Sequence, residues 1–394
     1  MNKLRFAPAI RLALVCAVGA MGTQAGASSL QVTDNRMNPA VSLIVWGQYS
    51  QASHNQPLTL PGMPLGGEAG AWDRGFALRE SELSLSAMVD PHFYAFAALA
   101  IAPEGGLSAE EAYGETTDLP GGVQLRFGRF FSALAYNNDR HAHVWSFNEP
   151  SLPYQAFLGN QYGDMGVRAA WLLPTPGYAE LFVEGFSGER YPTAGRVGGQ
   201  GAKVVALRLG GDLNDETSWL GNLGYLDARS QDRLEESDSQ SFTGHGHVAA
   251  ASLVLTWAPD GNPLERNLKV VIEAMQRREA GASVDAATGG ALASGTRSQT
   301  GYAVEGVYQW RQGWEGGLRF DVVGLAEQIP TGMSGGSTPA SRLSAMTTWR
   351  GSEFSKVRLE ASQEWTGRGT GDAPNTRVTL DYMLSLGAHG AHAF

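Results

Sequence analysis

The feature that most constrains this chain is a hydrophobic alternation of period two, sustained over runs of ten residues and more. Val378, Leu380, Tyr382, Leu384 and Leu386 alternate with Thr379, Asp381, Met383 and Ser385. Val357, Leu359, Ala361 and Trp365 alternate with Arg358, Glu360, Ser362 and Glu364, and the pattern recurs around Leu318 to Val322, Val205 to Leu209 and Tyr302 to Trp310. A period of two places successive side chains on opposite faces of a strand. The runs exceed the five or six residues usual in a soluble sheet and suit tilted strands crossing a bilayer, which need about 9–11 residues each. An open sheet cannot lie in lipid with its edge N–H and C=O groups unpaired, so the fold expected is all-β, a closed transmembrane antiparallel β-barrel.

Sixteen strands are expected, from 40–51 to 375–394, and their connections alternate in length. Short turns fall at Asp90-Pro91, 119–121, 174–176, 214–216, 311–312 and 351–352. Long polar links fall at 52–74, 132–162, 189–201, 231–244, 280–296, 328–338 and 367–374. Short periplasmic turns and long external loops are the asymmetry of an outer-membrane barrel. Trp171, Trp219, Trp257, Trp310, Trp314 and Trp349 all flank the short turns, as an aromatic belt at one membrane interface would. Phe394 ends the chain with the terminal aromatic usual in such barrels.

The first 27 residues read as a cleaved export signal: basic Lys3, Arg5 and Arg11, an apolar run from Leu12 to Met21, and a small-residue site at Ala25-Gly26-Ala27. Residues 28–394 are then one barrel domain. Removing that segment from 394 residues leaves 367 and moves the formal charge from −10 to −13. It also removes the single cysteine, and with it disulfide, thiolate-metal and thiol chemistry. The acidic balance argues against a nucleic-acid partner. The partners expected are outer-membrane lipid and small solutes or ions, with a homotrimer as the usual assembly of porin-like barrels. No nucleophile elbow, zinc-protease helix or phosphate loop occurs, so no catalytic residues are assigned and the chain is read as a non-enzyme.

The longest connection, 132–162, reads SALAYNNDRHAHVWSFNEPSLPYQAFLGNQY. Its aromatics suggest a packed loop that narrows the lumen. Asp139, Arg140 and Glu149 are the loop charges expected at a constriction, facing Arg126, Arg168, Arg208 and Arg319 on the wall. Such a transverse field sorts ions and polar solutes. Acids outnumber bases at positions of lumen parity, which suggests a weak cation preference. His141 and His143 are two apart, so they can share a face and offer two imidazoles to zinc, with Asp139 as a candidate third ligand. His245/His247 and His389/His392 form two further pairs. The bland reading is that these histidines are polar loop residues.

Five stretches carry a resemblance: Phe127 to Ser132, Tyr136-Asn137, His141 to Trp145, Leu158 to Tyr162 and Trp171 to Thr175. Asn38 to Ile44 and Ser385 to His392 match at the two ends. In these residues the chain resembles a family of proteobacterial outer-membrane proteins that look like general or phosphate-selective porins (porin O/P-like). Some of its members carry the label zinc-regulated TonB-dependent outer membrane receptor. The resemblance implies a porin-like channel for passive diffusion in the Gram-negative outer membrane. The label implies a plug and a larger barrel, but residues 28–39 leave no room for a plug. A zinc-linked uptake or binding protein and a non-conducting structural or adhesive barrel are the alternatives.

Overall fold

The computed structural model describes residues 39–54, 60, 74–79, 81–102, 105–193, 201–235, 239–331, 339–365 and 374–387. The export signal, His389, His392 and Phe394 lie outside the described residues. The strands are β1 (Ala40–Ala52), β2 (Gly75–Leu78), β3 (Ser81–Met88), β4 (Phe93–Ile101), β5 (Leu107–Thr116), β6 (Val123–Phe131), β7 (Gly163–Leu172) and β8 (Tyr178–Phe186). They continue as β9 (Ala202–Asn214), β10 (Thr217–Glu235), β11 (Gln240–Trp257), β12 (Asn267–Asp285), β13 (Ala291–Arg311), β14 (Trp314–Gln328), β15 (Ala340–Ser352), β16 (Ser355–Trp365) and β17 (Asn375–Gly387). Apart from β2 and β3, each pairs antiparallel with its neighbour in sequence. β2 and β3 both pair with β1 and form one interrupted stave, so the wall has sixteen staves. β1 also pairs with β17 from Ser42↔Gly387 to Ala52↔Arg377, which closes the cylinder and leaves no free edge.

The alternation resolves into two faces. Leu318, Phe320, Leu343, Leu359, Leu380 and Tyr382 point outward and are exposed, while Arg319, Asp321, Arg342, Arg358, Glu360 and Asp381 point inward and are buried. This inversion of a soluble core, apolar outside and charged inside, suits a wall with lipid on one face and a lumen on the other. The tryptophans at the short-turn end face outward, and the rings of Trp310, Trp314 and Trp349 follow one another at 6.3 and 6.4 Å. Among the described residues no helix is long and apolar enough to cross a membrane.

Two expected loops are mostly strand. Residues 231–235 and 240–244 extend the β10–β11 ladder, and 280–285 with 291–296 extend β12–β13. Beyond the lipid band neither face needs to be apolar, so the period-two signal fades while the backbone ladder continues. The extension is held on the lumen side by an ion-pair cluster. Arg233 meets Glu235 and Glu279 at 2.6 and 2.7 Å, and Arg297 meets the same two acids at 2.5 and 2.7 Å. Both guanidiniums lie over the ring of Phe242. Charges this buried stay only when paired.

A candidate constriction in the lumen

Residues 132–162 fold into the barrel. The segment contains a 3-10 turn at Ala142–Val144 and one short α-helix, α1 (Leu152–Leu158), every residue of which is buried. Pro153 sits in its first turn, and Gly159, left-handed at φ 63°, ends it. Leu152, Tyr154, Phe157 and Leu158 pack with Phe130, Leu226 and Val248 in an apolar cluster on one side of the lumen. Gly224 permits this approach, because a Cβ there would lie 1.9 Å from the carbonyl oxygen of Leu134.

Wall charges hold the loop on every side. The Arg79 guanidinium donates to the Asn148 carbonyl at 3.1 Å, and the Asn148 N–H donates to Glu360 at 2.8 Å. Arg358 donates to the carbonyls of Trp145 and Ser146, and Lys356 to that of His143. The Leu152 N–H donates to Asp321, the Tyr154 hydroxyl to Glu273 at 2.6 Å, and Arg277 to the Ala156 carbonyl. These inward wall groups come from staves around most of the barrel, so the loop spans the lumen rather than lining one wall.

The residues expected at the constriction fall as follows. Asp139 pairs with Arg208 at 2.5 Å. Glu149 pairs with Arg342 at 3.0 Å and with Arg377, and its backbone carbonyl accepts from Arg319 at 2.7 Å. Burial alone would raise the Glu149 carboxyl, but Arg377, Arg342, Arg79 and Arg319 outweigh it and hold the group below its ordinary range. Arg126 pairs with Glu115 and Arg168 with Glu184 on their own wall, both at 2.6 Å. Arg140 lies over the ring of Tyr136, 4.2 Å from its centroid. Sequence reasoning missed Arg342, Arg377 and Arg79 as partners of the loop. Their lumen parity was readable, but which wall residue meets which loop residue depends on barrel register.

A cavity of about 20 Å³, space for a single water, separates the loop from the wall beside Ser146, Phe147, Glu273 and Glu305.

His141 and His143 come together, their rings stacked 5.6 Å apart. The acid beside them is Glu82 on the wall and not Asp139, which Arg208 holds. One Glu82 oxygen lies 3.0 Å from His141 Nδ1 and 3.2 Å from His143 Nδ1. Glu110 stands 3.4 Å from His141 Nδ1, and His141 Nε2 is 2.9 Å from Glu111. Two donors on a tetrahedral zinc stand about 3.3 Å apart, so these separations fit such an ion. A carboxylate on the far nitrogen of a ligating histidine is the usual support of a zinc imidazole. Burial works against charge on His141, yet Glu82, Glu110 and Glu111 together hold its pKa well above ordinary; burial lowers that of His143. A second trio, Asp227, His245 and His247, faces outward from β10 and β11.

No known protein-family profile matches the sequence. An uncharacterized protein of Aquifex aeolicus is 29% identical over 343 residues, covering 82% of this chain and 70% of that one. Among solved structures, the outer-membrane channel DcaP of Acinetobacter baumannii superposes with a TM-score of 0.57 at 13% identity, over 88% of this chain and 97% of that one. An anion-selective porin from Comamonas acidovorans gives 0.55 at 11% identity, over 88% and 99%. OmpT of Vibrio cholerae in its trimer form gives 0.53 at 8% identity, over 88% and 100%. The chain therefore has the fold of the sixteen-stranded outer-membrane porins.

Proposed function

We propose that this protein is a porin-like channel of the Gram-negative outer membrane, exported by its N-terminal signal and passing small polar solutes or ions by passive diffusion. The observation that carries this reading is loop 132–162, drawn into a closed barrel with an apolar exterior and tied across the lumen by wall charges. Solutes pass the loop through whatever cross-section it leaves. The Asp139–Arg208 and Glu149–Arg342–Arg377 pairs are the fixed charges that filter them. A homotrimer is the assembly that accompanies this reading, as in the trimer form of OmpT. No catalytic step is assigned.

The test is single-channel conductance of the refolded barrel in a planar bilayer, with reversal potentials in a salt gradient. Steady conductance is expected, and its value should rise when the loop is shortened. A folded barrel that never conducts would leave the structural or adhesive alternative.

The Glu82–His141–His143 geometry favours a second role, a zinc site that clips the loop to the wall. Zinc would compete with the proton that Glu82, Glu110 and Glu111 favour on His141, so its affinity should fall as pH falls. Micromolar zinc is expected to change conductance in the native protein and not in His141→Ala/His143→Ala. Equal conductance with and without zinc would refute the clip and leave the channel reading intact.

A further inference from the structure

The outer face of β9 to β13 departs from the rest of the barrel exterior in two adjoining ways. The first is a row of charge. The register places Lys203 beside Asp227, Asp227 beside His247, and His247 beside Arg278, with Arg229 beside His245 one step further from the tryptophan end. Their neighbours along each strand are buried inward, so these side chains point out of the barrel. Lys203, Arg229 and Arg278 are exposed, and none of them forms an ion pair among the described residues. Asp227 offsets one of these three charges and leaves the row net positive; its two carboxylate oxygens face His245 at 3.0 Å and His247 at 3.4 Å and not the cations. One further acid, Asp232, lies beyond the row at the bulge in β10, where its N–H is bonded to Thr243.

The second departure lies directly below, on the membrane side. The small side chains of Ala249, Ala251 and Ala274, between Leu223, Tyr225 and Tyr302, leave an open apolar trough of about 600 Å³ in the lipid-facing wall. Trp219 marks the tryptophan end of the same stave, eight residues before Asp227. At about 3.3 Å per residue and a tilt near 40° that distance is roughly 20 Å along the barrel axis, so the cationic row sits at the far edge of an apolar band about 25 Å tall. This is the long-loop end, which faces the outer leaflet.

We propose that this surface binds lipid A of the outer leaflet, with acyl chain in the trough and phosphate on the cationic row. The Asp227–His245–His247 trio could also hold a metal, but Lys203 and Arg278 on its flanks oppose a bound cation and favour an anion. Lys203 and Arg278 lie three staves apart, about 14 Å at the usual strand spacing. Two separated cationic positions suit a headgroup with a phosphate at each end better than a single-phosphate phospholipid. The proposal needs the barrel to sit in the outer membrane and does not need it to conduct.

The test is native mass spectrometry of the full detergent-solubilised protein incubated with hexa-acylated diphosphoryl lipid A, its dephosphorylated form, or dioleoyl phosphatidylglycerol. Lipid A should be retained in preference to both. Lys203→Gln/Arg229→Gln/Arg278→Gln should lower its bound fraction about tenfold, as loss of charge-assisted hydrogen bonds implies. Ala251→Phe, which fills the trough from the lipid side, should lower it with all cations present. Lys203→Arg/Arg278→Lys should retain it, and conductance should be the same in every variant. Equal retention by the triple-Gln variant, or of phosphatidylglycerol, would overturn the assignment. So would an Ala251→Phe variant that breaks up an oligomer while the triple-Gln variant binds normally, because the trough would then be a seat for a second copy. A native protein that retains lipid A and never conducts would count against the channel reading alone.

Discussion

Glu149 is where the hold of the lumen on its loop can be measured. Its carboxylate meets Arg342 at 3.0 Å and also contacts Arg377. At an effective dielectric constant near 20, a pair at that distance attracts by about 5 kcal/mol before the cost of desolvation. Breaking a buried pair by removing one partner costs about 3–5 kcal/mol. Side-chain exposures of 13% for Glu149, 3% for Arg342 and 11% for Arg377 put the site nearer buried than surface. Lumen water and the hydrogen bond a glutamine would keep reduce the effect of Glu149→Gln to about 2–3 kcal/mol. Local detachment of this segment should then become roughly a hundredfold more frequent, since 1.4 kcal/mol is a factor of ten. The remaining ties, among them Asp139–Arg208 and Tyr154–Glu273, keep the loop inside. In single-channel records the variant should flicker far more often between conductance levels, and the added net positive charge should move its reversal potential toward anions. The pH dependence has a definite sign. A carboxyl held below its ordinary range stabilises the folded state above the unfolded pKa, near 4.3 for glutamate, and that stability is lost as pH falls through the folded value. The native channel should therefore be quiet from neutral pH to about 4.3 and flicker only in stronger acid, while Glu149→Gln flickers throughout. A variant as quiet and as selective as the native protein at neutral pH would refute the reasoning.

Three further outcomes follow from the same geometry. Phe320→Arg puts a cation on the exposed, lipid-side face of β14 and should cost about 2–4 kcal/mol at the bilayer midplane, read as a lower urea midpoint in lipid vesicles. Gly128, at φ 129°, has the Ala112 carbonyl oxygen 2.2 Å from where a Cβ would stand, so Gly128→Val should block β5–β6 pairing and sharply lower the yield of heat-modifiable folded barrel on gels. Tyr154→Phe removes a hydroxyl shared by Glu273 and the Asn137 N–H, and should lower loop stability by about 1–3 kcal/mol, seen as faster protease cleavage within 132–162.

The sequence carried the wall and not the pairing across it. Alternation such as Leu318-Arg319-Phe320-Asp321 specifies which side chains meet lipid, because a one-residue slip would put Arg319 and Asp321 into hydrocarbon. Local pattern therefore predicts stave number, turn side and the tryptophan belt. It weakens where that penalty ends: around Arg233, Glu235, Glu279 and Arg297 polar residues are tolerated on both faces, and strands read as loops.

The lumen was less legible for a different reason. Arg342 and Arg377 are 193 and 228 residues from Glu149, Glu82 is 59 from His141, and nothing local links them. What brings them together is closure of the cylinder by β1 and β17, which fixes the height and azimuth of every inward side chain at once. His141 and His143 could be chosen from spacing, since two residues two apart share a face on any extended segment. Their third partner could not, and Asp139 was the natural choice because it is near in sequence. Arg208 takes Asp139 instead, leaving Glu82 beside the imidazoles. Exchanging these two acids separates the roles: Asp139→Asn should release the loop from Arg208 and leave zinc binding intact, whereas Glu82→Gln should abolish zinc binding and leave the Arg208 tie in place. Zinc binding lost in Asp139→Asn and kept in Glu82→Gln would return the third ligand to the loop and refute the register that places Glu82 there.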